Sequence, residues 1–174
     1  GELWNRRVVE SESLFGARIG LIGFGMVGAS LLDLLAPFGV RVKVYDPYLP
    51  AAALEKYPNA ALCSLEEALE WGEIVSVHAS RTPETYHLLD RNRLKRIRDH
   101  GLLINTARGA IIDEKALIDE LSSGRFRAVL DVFEEEPLSL DSPLRRLGNV
   151  LLMPHMAGDT AKESMTFAMI EEIE

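Results

Sequence analysis

Apolar runs of strand length alternate along the chain with amphipathic stretches of helix length. The runs fall at residues 17–24, 42–46, 61–63, 74–79, 101–107, 128–132 and 150–155. Strand-length apolar runs separated by helical patterns point to repeated βα units and a parallel sheet with helices on both faces. Turn and cap residues place the helices. Ser64 with Glu67, and Thr160 with Glu163, have capping-box spacing, while Thr82-Pro83 and Ser142-Pro143 put proline just inside a helix start. These polar residues read as caps rather than as catalytic groups. Residues 1–15 read as a helix-rich lead-in carrying Trp4, and the stretch 160–174 runs on without a glycine cap or other stop signal. With no internal repeat, low-complexity tract or linker, the expectation is a single domain excerpted from something longer.

Composition narrows the function classes. At 174 residues the chain can bury a conventional core. Its 27 acidic against 19 basic residues give a formal charge of −8 and no basic stripe, so no nucleic-acid partner is expected. The single cysteine, Cys63, allows no internal disulfide and no thiolate zinc site, and it suits a reducing compartment. It reads as strand filler rather than as a nucleophile. No apolar stretch approaches the roughly 20 residues needed to cross a bilayer. The expectations are therefore no metal, no membrane and a cytoplasmic location.

The first apolar run leads straight into Gly23-Phe24-Gly25-Met26-Val27-Gly28. A lone GxGxxG is weak evidence, because glycines punctuate many turns. Here it leaves a strand and opens a helix over residues 26–35, so Gly23 permits the turn, Gly25 lets backbone approach a pyrophosphate, and Gly28 allows close helix-on-strand packing. The helix start supplies amide donors and partial positive charge for that anion. Asp46 ends the second strand eighteen residues after Gly28, near the spacing at which a carboxylate takes adenosine ribose hydroxyls. A carboxylate there repels a 2′-phosphate, which favours NAD over NADP.

Three polar residues follow later apolar runs. Ligands of parallel α/β sheets bind outside the carboxyl ends of the strands, so Arg108, Glu136 and His155 should gather at one edge. Arg108, in Asn105-Thr106-Ala107-Arg108-Gly109, offers a planar fork of donors suited to a carboxylate and the neighbouring keto oxygen of a 2-keto acid. Of the run Glu134-Glu135-Glu136, the first two read as solvated charge. Glu136 is singled out, and Pro137 after it restricts its backbone to extended conformations. Paired with that carboxylate, His155 becomes a general acid for the oxygen of a carbonyl receiving hydride. His78 ends the fourth run without an evident acid or arginine beside it and reads as lining or structural.

With these residues in hand, the chain resembles the D-isomer-specific 2-hydroxyacid dehydrogenase family. The match runs through GFGMVG, YDP, the TPET segment (82–85), NTARG, LDVFEEEP and MPHMAG in order, and covers nearly all of the sequence. The resemblance implies a Rossmann-type fold and an NAD cofactor. It assigns Arg108 to the substrate carboxylate and carbonyl, His155 to acid/base work and Glu136 to orienting it. It implies that Asp131 sits beside the nicotinamide, that Met26 and Val27 meet the pyrophosphate, that Ala79, Thr106, Ala107 and Gly158 touch the cofactor largely through backbone, and that Arg108 and His155 border the cofactor as well as the substrate. The chain departs from the family in two places: His78-Ala79-Ser80-Arg81-Thr82 lacks a proline two residues after the histidine, and the stretch from Gly124 to Asp131 is one residue short. The family's substrate-binding domain is absent from residues 1–174, which match its cofactor domain alone. A homodimer is implied by resemblance, with Trp4 as a candidate contact.

Residues and resemblance together lead to a doubly wound, three-layer α/β/α sheet of about seven strands in the order 3-2-1-4-5-6-7. The expected activity interconverts a 2-keto acid and a D-2-hydroxy acid. Two rivals are a non-catalytic NADH-sensing, corepressor-type protein, which the intact trio argues against, and a formate- or phosphite-type dehydrogenase on the same scaffold. Formate enzymes usually place glutamine where Glu136 stands.

Overall fold

A computed structural model of the protein describes residues 13–158. Each expected apolar run forms a strand: β1 (Arg18–Ile22), β2 (Arg41–Tyr45), β3 (Ala60–Leu62), β4 (Ile74–Val77), β5 (Leu102–Asn105), β6 (Arg127–Leu130) and β7 (Val150–Leu152). All neighbours pair in parallel, in the expected order β3-β2-β1-β4-β5-β6-β7. The order reverses at β1 and β4. That switch point is where a parallel sheet opens a crevice between the loops leaving its strands.

Helices α1 (Met26–Leu35), α2 (Leu65–Trp71), α3 (Arg91–Leu94) and α4 (Glu114–Ser122) cover the sheet. The expected box at α2 is present, with Ser64 Oγ accepting from the Glu67 N–H and Glu67 Oε2 from the Ser64 N–H. Asp90 and Asp113 cap α3 and α4, their side chains accepting from the Arg93 and Ala116 N–H groups. Because helices lie on both faces, the central strands are apolar on both. One core gathers Val75, Val77, Leu103, Ile111, Leu117 and Phe126, and the other gathers Ile19, Leu21, Leu32, Val42 and Val44.

Some local expectations need correction. Thr82-Pro83 opens a run of turns, not a helix, because the chain diverts at His87 (φ 49°), whose N–H donates to the Ala110 carbonyl, and Leu89 then bridges to Ile112. Ser142-Pro143 opens only a short 3₁₀ turn, Pro143–Arg146, and the Ser142 side chain does not cap it. Cys63 lies one residue beyond β3, half-buried, and burial pushes its thiol up to about 11, so it stays protonated near neutral pH. Trp4, nearly all of the lead-in and the Thr160 box lie outside the described residues. Among the described residues, no helix is long and apolar enough to cross a membrane, and no cluster of His, Cys, Asp and Glu could hold a metal ion.

Candidate active site

The glycine loop builds one half of the site. Gly23 has φ 88°, and a Cβ there would lie 2.6 Å from the Ala79 nitrogen, so only glycine lets the β1 and β4 ends close together. Gly25 caps α1, and a Cβ added to it would meet nothing within 4 Å. A Cβ on Gly28 would come within 3.2 Å of the Gly23 carbonyl, the close packing expected of it. Met26 and Val27 are exposed at the helix start, where the first amides lack intrahelical acceptors.

Asp46 meets this loop. Its Oδ2 accepts from the Phe24 N–H at 2.8 Å and its Oδ1 from the Tyr48 N–H at 2.9 Å. Each carboxylate oxygen keeps acceptor capacity beyond one bond, so Asp46 both fixes the loop and can take hydroxyls. Between them lies a cavity of about 260 Å³, lined by Gly23, Gly25, Asp46, Tyr48, His78, Ala79 and Thr85 among others. An open glycine at a helix start, a carboxylate at the next strand end and a cavity between them fit the adenosine and pyrophosphate of a dinucleotide. His78 lines the same cavity, 2.8 Å from Ser76 Oγ through Nε2, and burial lowers its pKa. It is a neutral wall.

The polar trio occupies the other half. Arg108, Glu136 and His155 stand on the loops after β5, β6 and β7, which are neighbours in the sheet. His155 Nδ1 lies 2.6 Å from Glu136 Oε2, while Glu136 Oε1 accepts from the Phe133 N–H at 3.0 Å. Burial pushes the Glu136 carboxyl up, but the bonds from His155 and the Phe133 amide outweigh it and hold the group below its usual value. Since folding depresses this carboxyl, its contacts add stability above the ordinary carboxylate range and lose it as pH falls through the lowered value. Arg108 is exposed, and its Nη1 donates to the Ala107 carbonyl at 2.5 Å. Among the described residues, Arg108 makes no hydrogen bond or ion pair with Glu136 or His155. Thr106 and Ala107 are half-buried beside it, and Gly158 is exposed just beyond the His155 loop.

Asp131 behaves differently from a surface acid. It is 0% exposed, and its two oxygens accept from the Met156 and Ala157 amides at 2.9 and 2.8 Å. It therefore anchors the residues directly after His155, which itself has φ 55°. The expectation of two merely solvated glutamates holds only in part. Glu134 contacts His87, and its N–H donates to Glu114 Oε2. Sequence reasoning also passed over Asn105, which is 1% exposed with its side chain bonded to its own loop. A polar residue closing an apolar strand was the available signal.

A histidine–carboxylate contact on the same sheet edge as a dinucleotide-shaped cleft describes a class, the cofactor domains of nicotinamide oxidoreductases. Residues 1–157 match the D-isomer specific 2-hydroxyacid dehydrogenase, NAD binding domain, and the chain belongs to that family. A glyoxylate reductase from Thermofilum pendens is 38% identical over 166 residues, covering 95% of this chain and 49% of that protein. A D-3-phosphoglycerate dehydrogenase from Mycobacterium tuberculosis is 38% identical over 161 residues, covering 91% of this chain and 30% of that protein. Among solved structures, the NAD-dependent formate dehydrogenase from Staphylococcus aureus in complex with NAD has a TM-score of 0.81 at 32% identity, covering 90% of this chain and 47% of that one. A D-isomer specific 2-hydroxyacid dehydrogenase from Xanthobacter autotrophicus, in complex with NADPH and MES, has a TM-score of 0.77 at 36% identity, covering 86% of this chain and 47% of that one. The chain thus spans about half or less of the length of the curated relatives it matches.

Proposed function

We propose that residues 1–174 form the cofactor domain of an NAD-dependent enzyme that interconverts a 2-keto acid and a D-2-hydroxy acid. The observation that carries this reading is the 2.6 Å contact between His155 and Glu136, on the sheet edge that also bears Arg108 and the glycine-loop cleft. Arg108 binds the substrate carboxylate and carbonyl oxygen through its planar fork. His155 gives its proton to the carbonyl oxygen in reduction and takes it back in oxidation, and Glu136 holds the ring in place. Asp131 holds the His155 loop from beneath. Met26, Val27, Ala79, Thr106, Ala107 and Gly158 border the cofactor through backbone. The bound nicotinamide supplies or accepts the hydride. A second domain completes the substrate pocket and excludes water. The same reading includes a homodimer in the cytoplasm.

Turnover of NADH by the full-length protein across a panel of 2-keto acids tests this function. Oxidation with at least one acid supports it, whereas tight NADH binding without any turnover favours the sensor-type rival. Asp46 should set cofactor choice. Asp46→Ala is expected to weaken NADH binding about tenfold, the value of one charged hydrogen bond, and to erase discrimination against NADPH. Unchanged selectivity in the two dissociation constants would remove Asp46 from that role.

Glu136→Gln removes the negative charge facing the His155 ring while keeping the side chain's size. Without the carboxylate that holds the ring, kcat for reduction should fall by roughly tenfold or more, the value of one charge-assisted bond, while NADH affinity is retained. Steady-state kinetics beside NADH titration reads the loss. Parental kcat would leave Glu136 a structural residue.

A further inference from the structure

The Arg108 loop is gripped on both sides of the arginine. On one side, the buried Asn105 amide bonds twice to the loop it precedes, with Oδ1 accepting from the Ala107 N–H at 3.1 Å and Nδ2 donating to the Arg108 carbonyl at 3.0 Å. That carbonyl also accepts from the Ile111 N–H at 3.3 Å. On the other side, Gly109 packs against the backbone that leads to Glu136. A Cβ on Gly109 would fall 1.9 Å from the Phe133 carbonyl carbon and oxygen and 2.6 Å from the Glu134 nitrogen. Those distances cannot be accommodated without moving one loop away from the other. Phe133, whose carbonyl makes this contact, donates its own N–H to Glu136 Oε1. Beyond Gly109 the chain is tied down by Ile111 and Ile112 in the core and by their pairing with Leu89.

We infer that Asn105 and Gly109 are positioning residues that set Arg108 in register with the Glu136–His155 pair. Asn105 shapes the turn that presents the guanidinium. Gly109, by having no side chain, fixes how near the arginine loop comes to the glutamate loop. Neither touches substrate; both act through backbone. The inference rests on the proposed function, because it is the substrate carboxylate that reads the arginine's position.

The two residues predict different phenotypes in the full-length protein. Displacing a binding group by about 1 Å costs roughly 10²-fold in kcat/KM. Gly109→Ala should show a loss of that order, with weaker binding of oxamate, an unreactive 2-keto acid analogue, and NADH affinity retained. Asn105→Ser keeps one hydroxyl for one of the two backbone groups, so it should raise KM and the oxamate dissociation constant with a smaller change in kcat. Its pH profile should coincide with the parent's, because the Glu136–His155 contact and its Asp131 anchor lie on other loops. Wild-type turnover accompanied by parental KM and oxamate affinity in both variants overturns the positioning role. A fall in NADH affinity and melting temperature without selective loss of oxamate also overturns it, showing scaffold residues only. Absence of wild-type turnover with every 2-keto acid instead overturns the proposed function, and the positioning inference falls with it.

Discussion

Replacing His155 with alanine in the full-length protein is expected to lower kcat for 2-keto acid reduction by ~10²- to 10⁴-fold, the usual contribution of a positioned general acid. NADH affinity should be retained. The separation follows from where the ring sits. His155 is exposed on the loop after β7, bonded to Glu136 through Nδ1, and the glycine-loop cleft is built from β1, β2 and β4 ends that do not include it. The fold should tolerate the change, since the backbone beyond the ring is held by Asp131 rather than by the imidazole. Titration of NADH fluorescence alongside steady-state kinetics distinguishes the outcomes. Joint loss of binding and folding would make His155 a structural residue, and near-normal turnover would remove it from proton transfer.

Arg108→Lys is the second large expected effect. A guanidinium can make two parallel bonds to a carboxylate and its neighbouring carbonyl, whereas an ammonium is a point charge without that fork. Losing one charge-assisted bond costs about 1.5–3 kcal/mol, which is roughly 10- to 150-fold in kcat/KM. Arg108→Ala should cost more. The loss should appear first in KM and in oxamate binding, with the pH profile unchanged because the Glu136–His155 contact lies on other loops. A lysine variant with parental kcat/KM would show that Arg108 does not hold the substrate.

The strands were legible in the sequence as apolar runs, clearest in the central β1 and β4, where burial on both faces imposes that pattern, and their order followed from the resemblance to the family. The trio was legible for a related reason, since a parallel sheet collects residues that follow strands at one edge. Contacts made through backbone were not legible. Nothing in the letters shows that the Asp131 oxygens face the Met156 and Ala157 amides, or that Gly109 abuts Phe133. Such contacts depend on how two loops distant in sequence pack. Thr82-Pro83 misled for the same cause: proline favours a helix start locally, but pairing of Leu89 with Ile112 draws the chain aside before a helix can form.

In the proposed mechanism the guanidinium, the carboxylate and the imidazole act together on one carbonyl carbon next to the nicotinamide. Full-length protein given NADH deuterated at the transferable C4 position, with a 2-keto acid it accepts, tests this most directly. The expected product is a D-2-hydroxy acid carrying the deuterium at C2 and solvent hydrogen on its oxygen. A product of L configuration, or one whose C2 hydrogen comes from water, would contradict it.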